Sequence, residues 1–365
     1  MLISEENFMA VPKFDPNEMI IAAELPSFPG APTIPVFSFP MTPKNAVKAM
    51  YKREAVWQIT GMEQKMFNPR LNPDNVAKCF VADGIGGRAT TGGIDMFGIE
   101  WEYVQQAGGS MVRPGTPLLS DANEWYDKLV WPDINTWDWV GAVEPNKEFL
   151  DNDSYILSFF FTGWYERLMT FMDFEGAIMA MVDEDQQDAV KALFDKLSDL
   201  YIAILDKYLE YFPQVDGFCF HDDWGSQRDT FFSPELVAEM IVPYMKRVTD
   251  HLHSKGKFCD LHSCGQLEKQ IPNMIAAGWD SWSPQVGIND TEKLYEKFGE
   301  KLIIGMVPHY DTTAPEDAQR DAATEFADKC CDPKKISMLN FYSNFGLSRA
   351  FREGLYKRSR ENYSR

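Results

Sequence analysis

Residues 258–284 read FCDLHSCGQLEKQIPNMIAAGWDSWSP, and they decide the fold class. An apolar strand at 258–261 is followed by a helix at 266–277 that ends at Gly278, and a second strand follows at 281–284. These strands are short apolar runs rather than alternations of polar and apolar residues. Such runs are typical of parallel strands that helices cover on both faces. The segment therefore predicts a βα unit of a parallel sheet.

The same rhythm continues from about residue 155 to the end of the chain. Further strands are predicted at 155–161, 215–220, 302–307 and 336–341. Further helices are predicted at 166–173, 185–211, 233–255, 290–298, 315–331 and 347–363. About six βα units result, and the less regular N-terminal half can supply the remainder of eight. We therefore predict an α/β protein whose main domain, residues 46–365, is a (β/α)8 TIM barrel.

An open doubly wound sheet is the alternative to a barrel. That fold carries a GxGxxG turn between its first strand and helix, and GIGGRATTGG at 84–93 does not have this order. Residues 1–45 are rich in proline and are predicted to form an irregular N-terminal arm ahead of the barrel.

Composition excludes several classes of protein. The 365 residues carry a formal net charge of −20, and they contain no basic patch that could offset it. So acidic a surface repels phosphate backbones, which argues against nucleic-acid binding. No apolar run is long enough to cross a bilayer, and the acidic N-terminus is unlike a signal peptide, so we expect a cytoplasmic protein without a membrane partner. Six cysteines are too few for a disulfide scaffold.

Polar residues follow several predicted strands at the point where each strand ends. The sequences at these points are HDDWG at 221–225, HSCG at 262–265, PHYD at 308–311 and YSN at 342–344. In βα barrels the working residues stand at the carboxyl ends of the strands, where the variable loops meet. Three of the five histidines lie at such ends, which predicts one shared pocket.

His262 and Cys264 form the sharpest local feature. Residues i and i+2 of an extended segment point the same way, so an imidazole and a thiolate can face one ion. Nitrogen and sulfur are the ligands that Zn²⁺ prefers. Two ligands do not complete a zinc site. The alternative is a packed thiol at a tight glycine turn beside a hydrogen-bonded histidine.

Asp222 and Asp223 are candidates for acid/base chemistry, for binding a substrate cation or for completing a metal shell. Alternatively, one of them caps a loop through backbone N–H groups. Adjacent residues of an extended chain point to opposite sides, so at most one faces the pocket. His309 with Tyr310, after a strand and a proline, is a further candidate pair.

These motifs together carry a family resemblance. The matching features are Asp223-Trp224-Gly225-Ser226-Gln227, Ser233-Pro234-Glu235, Pro243-Tyr244, His262-Ser263-Cys264-Gly265, DMFGIEW at 95–101, the Trp-Pro pair at 131–132 and GWYERLMTFMDFEGAIMAM at 163–181. Over about residues 45–310 the chain resembles the uroporphyrinogen decarboxylase superfamily. The family fold is a βα barrel, in agreement with the prediction from the strand rhythm.

The superfamily contains two different activities. One is cofactor-free decarboxylation of a tetrapyrrole, by enzymes that grip carboxylates with an arginine-rich N-terminal segment; here Arg53, Arg70 and Arg88 are scattered instead. The other is methyl transfer to a corrinoid protein, usually with zinc. The chain resembles this second branch, which implies that His262 and Cys264 are zinc ligands.

One departure from the thiol-methylating members is the missing cysteine on the last strand, where residues 340–344 read NFYSN. Either the third ligand is another residue, with Asp223, His309 and Glu166 as the alternatives, or the metal is absent or weakly bound. A role in thiol methylation is therefore not expected. The aromatic content of 14% favours the branch that demethylates aryl methyl ethers.

The resemblance leads to a specific set of expectations. The chain is expected to pass a methyl group from a small methylated substrate to a corrinoid carried by a partner protein. Asp223 and His309 are assigned catalytic roles. Contact with the substrate is assigned to Asp222, Trp224, Tyr310 and Glu166. The alternatives are a uroporphyrinogen-type decarboxylase and a corrinoid- or porphyrin-binding protein without chemistry; whether the chain forms a homodimer is left open.

Overall fold

The structure is a computed structural model that describes residues 11–25, 33–87, 91–106, 109–340 and 346–364. Its strands are, in chain order, β1 (Ile21–Leu25), β2 (Ile34–Phe37), β3 (Gln64–Met66), β4 (Gly92–Ile94), β5 (Glu100–Val104), β6 (Gly109–Val112), β7 (Tyr155–Phe160), β8 (Gly217–His221), β9 (Phe258–Ser263), β10 (Ser281–Pro284), β11 (Ile303–Met306) and β12 (Ser337–Leu339). Its α-helices are α1 (Pro43–Tyr51), α2 (Pro73–Ala77), α3 (Trp125–Lys128), α4 (Trp139–Leu150), α5 (Trp164–Val182), α6 (Glu184–Tyr211), α7 (Pro234–Met240), α8 (Val242–Ser254), α9 (Ile271–Ala276), α10 (Thr291–Phe298), α11 (Glu316–Cys330) and α12 (Arg349–Tyr363).

The described residues fall into two compact units. The first draws on Met1–Gln64, Asp153–Tyr155 and Asn289–Arg365, and the second on Lys65–Asn152 and Ile156–Ile288. Each unit is described by itself. The boundary between an arm and a barrel at residue 45 stays a prediction.

Four parallel strands, β7, β8, β9 and β10, form the centre of the second unit and are neighbours in this order. Almost every residue of β7 is buried, as expected for a strand with packed side chains on both faces. Helices follow β7, β8 and β9 in the chain, so the βα alternation predicted from the sequence is confirmed, and with it the α/β class and the TIM-barrel-like type of fold.

The two faces of these strands carry different side chains. Phe160 of β7 and Phe220 of β8 are stacked at 4.8 Å between ring centroids, and both lie close to the ring of Tyr201 on α6. Because successive side chains of a strand point to opposite faces, Cys219 and His221 lie on the face away from α6. Aromatic packing thus fills the helix side and leaves the other face to polar groups.

The glycine-rich stretch before α3 forms a separate antiparallel sheet of the second unit, in the order β4-β5-β6. Its link to the helices is a buried ion-pair cluster. Arg167 of α5 is fully buried and contacts both Asp74 of α2 and Asp95, the latter at 2.7 Å. Asp95 also accepts the indole N–H of Trp101 on β5 at 3.0 Å. The cluster ties the sheet loops to the first turn of α5.

The first unit combines the parallel pair β11 and β12 with the packed helices α11 and α12. Its N-terminal residues contain the antiparallel pair β1 and β2. Glu18 is buried and accepts two hydrogen bonds from the guanidinium of Arg360, at 2.7 and 2.8 Å, and one from the hydroxyl of Tyr356. These contacts fasten the N-terminal extension to α12.

Several predicted boundaries differ from those observed. Helix α5 extends to Val182, well past the predicted end at 173, where Asp173 has a positive φ of 59° and the helix kinks. The predicted helix 233–255 is two helices, because the backbone leaves helical geometry at Ile241. The YSN residues at 342–344 lie outside the described residues.

All six cysteines are free, as expected. Among the helices of the described residues, none combines the length and apolarity that crossing a bilayer requires.

Candidate metal centre and active site

His262 and Cys264 lie at the carboxyl end of β9 and face each other. Nε2 of His262 is 3.3 Å from Sγ of Cys264. The predicted common direction of these two side chains is confirmed. Its cause is the extended backbone of β9, in which residues two apart point the same way.

Strand β8 places two more polar groups at the same point. His221, the last residue of β8, is the register partner of His262, and the two imidazole centroids are 4.9 Å apart. Asp223 follows in the loop, and its Oδ1 lies 3.9 Å from Nε2 of His221. The same Oδ1 accepts the backbone N–H of Cys264 at 2.6 Å. Donor atoms of all four residues lie within 4.8 Å of one another.

The loops after β8 and β9 are held together by close backbone contact. Gly265 has a φ of 103°, and a Cβ at this position would lie 2.4 Å from the carbonyl carbon of Gly225. The N–H of Gln266 donates to the carbonyl of Ser226 at 2.7 Å. Gly265 is therefore needed because any side chain there would separate the loops that carry Asp223 and Cys264.

Glu166 stands behind the cluster and orients His221. Its Oε2 is 2.8 Å from Nδ1 of His221. A carboxylate at this position accepts a hydrogen bond from Nδ1–H, so in the neutral imidazole the lone pair is on Nε2 and faces the other donors. Glu166 lies in the first turn of α5 and is mostly buried. Its observed contact is thus with a histidine of the cluster.

The ionisation of the cluster follows from burial and neighbouring charge. Burial, reinforced by the positive potential of a protonated His221, lowers the pKa of His262 to about 4. Burial also opposes the protonation of His221, but the carboxylates of Glu166 and Asp223 outweigh it and raise the pKa of that residue. The pKa of the Cys264 thiol is raised, first by burial and then by the charge of Asp223. A neutral imidazole is ready to act as a ligand, whereas the thiol must lose its proton to do so.

Asp222 and Trp224 lie beneath this cluster, and both are fully buried. Asp222 accepts the backbone N–H of Glu166 at 2.8 Å and the indole N–H of Trp224 at 3.0 Å. Burial, with the nearby charge of Glu166, raises the pKa of Asp222 to about 7. These contacts position the first turn of α5; the predicted alternative was that one of the two aspartates caps a loop through backbone N–H groups, and Asp222 instead accepts those of a helix. Direct contact of either residue with a substrate stays a prediction.

His309 and Tyr310 belong to the first unit. His309 is exposed just after β11. The hydroxyl of Tyr310 accepts the N–H of Ser348 at 2.8 Å, and its ring stacks on Phe351 with centroids 4.2 Å apart. Tyr310 thus helps to seat the start of α12. The catalytic role of His309 and the substrate contact of Tyr310 stay predictions.

The four donors fit a zinc ion. Two imidazoles, one thiol and one carboxylate are the ligand types that Zn²⁺ takes, and the hydrogen bond from His221 to Glu166 is the outer contact that such ligands normally have. The residues that would hold the ion are His221, Asp223, His262 and Cys264. Asp223 was among the predicted third ligands.

His221 is the residue that sequence reasoning missed. It was recognised as a histidine at a strand end, but it was assigned no role. The available signal was the register of two neighbouring parallel strands, since His221 and His262 each stand near the end of an apolar strand. Equal strand offsets cannot be read from one sequence, so the pairing had to come from the structure.

One comparison concerns the sequence. Residues 160–341 match the family model described as uroporphyrinogen decarboxylase (URO-D). The match begins later than the predicted resemblance at about residue 45, and it ends later. No curated protein matches the sequence at a significant level.

Among solved structures, one is similar in fold to this chain. A methyltransferase from Methanosarcina mazei is similar over 86% of this chain and 97% of its own, with a TM-score of 0.57 and 15% identity. A 2,3-dimethylmalate lyase of the PEP mutase/isocitrate lyase superfamily aligns over 84% of this chain and 83% of its own, with a TM-score of only 0.30 and 10% identity. Over residues 160–341, a stretch that contains Glu166 and all four donors, the chain belongs to the uroporphyrinogen decarboxylase superfamily.

Proposed function

We propose that the chain is a methyltransferase that takes a methyl group from an aryl methyl ether and passes it to the Co(I) of a corrinoid held by a partner protein. The observation that carries the proposal is the cluster of His221, Asp223, His262 and Cys264 with Glu166 behind it. The likeness to a structure described as a methyltransferase supports the same class of reaction.

The step that the protein must catalyse is the departure of a phenolate from the methyl carbon. The bond between the methyl carbon and the ether oxygen breaks, and both of its electrons stay on the oxygen. The new bond to the methyl carbon is formed with an electron pair of the corrinoid acceptor. Phenolate leaves poorly from a methyl ether in water, so the site must stabilise charge on that oxygen as it develops. A zinc ion, when bound, supplies a Lewis acid for this purpose.

The chain's own residues prepare the site for that role. Glu166 accepts a hydrogen bond from Nδ1–H of His221, which leaves Nε2 as the nitrogen that can bind a metal ion. His262 stays neutral at ordinary pH because its pKa is lowered. Asp223 fixes the backbone of Cys264 through the N–H contact at 2.6 Å. No reorganisation of these groups is then needed when the ether binds.

The decarboxylase alternative has less support from the arginines. Arg70 forms an ion pair with Asp83 at 2.7 Å, and Arg53 donates to the carbonyl of Gly299 at 2.7 Å. Both side chains are therefore engaged within the chain rather than grouped in a carboxylate clamp. Arg88, the third scattered arginine, lies outside the described residues.

The decisive experiment is a cobalt-methylation assay with a corrinoid protein across aryl methyl ethers, methylamines and betaines, together with metal analysis of the purified chain. The proposal expects zinc near one equivalent, methylcobalt formation from aryl ethers, and loss of both in His262→Ala. His251→Ala is the matched control, because His251 lies on α8 and pairs with Asp206 at 2.8 Å instead.

Three results would contradict the proposal. Metal-free protein whose His262→Ala variant still demethylates aryl ethers would exclude the role of the cluster. Turnover of a porphyrinogen without methyl transfer would establish the decarboxylase. Saturable corrinoid binding with no methyl product from any donor would leave a binding protein without chemistry.

A further inference from the structure

Three stacked phenylalanine rings lie at the carboxyl end of β7, two of them on or just after the strand and one on a neighbouring loop. Phe161 directly follows β7, and its ring stacks on Phe80 with centroids 4.4 Å apart and planes inclined by 27°. Phe159 of β7 continues the stack at 5.3 Å and 14°. The three rings thus form one nearly parallel aromatic layer, which we call the phenylalanine wall.

The wall lies on the polar face of the sheet. Phe160, between its two strand members, packs on Phe220 and Tyr201 on the helix side. Alternation along the strand therefore turns Phe159 and Phe161 to the opposite face.

Register brings the wall beside the cluster. Phe160 is the partner of Phe220, so the next residues along the two strands, Phe161 and His221, are neighbours. The N–H of Gly163 donates to the carbonyl of His221 at 2.8 Å, which continues this pairing beyond β7. Neighbouring strands are about 4.8 Å apart. One ring of the wall is consequently adjacent to an imidazole of the metal-competent cluster.

A buried asparagine holds the backbones of two wall residues. Asn68 is fully buried; its Nδ2 donates to the carbonyl of Phe80 at 3.0 Å, and its Oδ1 accepts the N–H of Phe159 at 2.9 Å. The two ends of one amide thereby fix the backbones of two separate segments. The amide adds to the backbone pairing of Asn68 with Ala82, which holds the same loop beside β7.

The wall differs from the aromatic core of the same unit. Around Phe160, the stacked ring of Phe220 and the steeply inclined rings of Tyr201 and Phe218 are all buried. The rings of the wall are nearly parallel, and Phe80 and Phe159 keep part of their surface accessible. A parallel, partly open stack is the shape that accepts another flat ring in offset stacking.

We propose that Phe80, Phe159 and Phe161 are the aryl-binding wall of the active site, so that the methylated substrate is recognised by a flat aromatic ring. This inference rests on the proposed function, since it names the substrate group that lies beside the donor cluster. The wall is a specificity determinant: it selects an aromatic over a saturated methyl ether of the same size.

The test compares anisole with cyclohexyl methyl ether as ligands of the zinc-loaded full chain, by ligand-observed NMR titration. The wild type is expected to bind anisole about tenfold more tightly. Phe159→Leu and Phe80→Leu are each expected to lower this preference by about two- to tenfold, because one stacked pair is lost and apolar area is largely kept. Phe149→Leu is the matched control, since Phe149 is a partly exposed ring on α4 that contacts Phe67.

Equal affinities of the wild type for the two ethers would overturn the inference, and this comparison needs no variant to fold. A preference that survives both wall substitutions would overturn it as well. Binding is measured apart from methyl transfer. If the wild type prefers anisole, the wall variants lose this preference and no methyl donor reacts, then the aryl-binding role of the wall is supported and the proposed methyl transfer is wrong.

Discussion

The two ends of strand β9 carry similar residues but differ in what those residues can do. At the carboxyl end stand His262 and Cys264. At the amino end His253, Cys259 and Asp280 also bring donor atoms within 4.8 Å of one another. Residue type alone would make both ends metal sites.

The contacts of the donors separate the two ends. At the amino end, Oδ2 of Asp280 accepts from Nε2 of His253 at 2.9 Å and from the N–H of Cys259 at 2.8 Å. The thiol of Cys259 is fully buried, and its pKa is raised well above the ordinary value, first by burial. Here the histidine and the carboxylate already satisfy each other. At the carboxyl end, by contrast, the carboxylate that pairs with a histidine is a fifth residue, Glu166, outside the set of donors.

The comparison teaches that a metal-competent cluster needs a second layer. At the amino end a donor carboxylate is itself the partner of the histidine, whereas at the carboxyl end the partner of His221 is Glu166, which is not one of the donors. The predictions below test this distinction, from the largest expected effect to the smallest.

Helix α5 carries a buried charge, Arg167, next to Glu166 in the chain. Arg167→Met leaves the carboxylates of Asp74 and Asp95 buried without their cation, so the free energy of unfolding should fall by about 3–5 kcal/mol. His253→Ala should cost much less, because its ion pair with Asp280 is partly exposed. Denaturant unfolding followed by circular dichroism measures both. Equal losses in the two variants would remove the proposed asymmetry in stability.

Loss of a donor should affect metal binding at one end only. His262→Ala should lower zinc affinity by more than about a hundredfold, because a first ligand costs more than the outer contacts that are worth about 10–100-fold. His253→Ala should leave the zinc content unchanged. Chelator competition and metal analysis give the two numbers. Loss of zinc from the His253→Ala variant, with zinc retained in His262→Ala, would show that the ion binds at the amino end of β9.

The outer layer can be tested without touching a donor. Glu166→Gln keeps the shape of the side chain but removes the charge that orients His221, so zinc affinity should fall by about 10–100-fold. Glu175→Gln, an exposed change on the same helix, should have no effect. The same chelator competition applies. Unchanged affinity in Glu166→Gln would mean that the outer contact does not distinguish this cluster.

The smallest effect concerns pH at the amino end. The hydrogen bond to Asp280 raises the pKa of His253 above its ordinary value, despite some opposing burial. A raised pKa means that the pair stabilises the fold fully below the unfolded value near 6.5 and that this contribution is lost as pH rises through the folded pKa. The melting temperature of the wild type should therefore exceed that of His253→Gln at pH 5.5 and converge with it near pH 9. A difference in melting temperature that grows as pH rises would show that the protonated form of His253 does not stabilise the fold.

Much of the site could be expected from the chain itself. An extended strand places His262 and Cys264 on one side, because the geometry of i and i+2 is local. The position of Asp223 after a strand predicts that it lies at the same edge of the sheet, and the structure places its carboxylate near both residues. The sequence also predicts that at most one of Asp222 and Asp223 faces the pocket, because adjacent residues of an extended chain point to opposite sides.

What the sequence by itself determined is therefore the α/β class, the order of strands and helices, and the pair His262 and Cys264, because these follow from periodicity within short segments. Only the tertiary structure decided that His221 joins them, that Glu166 stands behind His221, and that three phenylalanines stack beside the cluster. The physical reason is that strand register and the approach of distant loops arise from packing and hydrogen bonds between segments far apart in the chain, which no local pattern records.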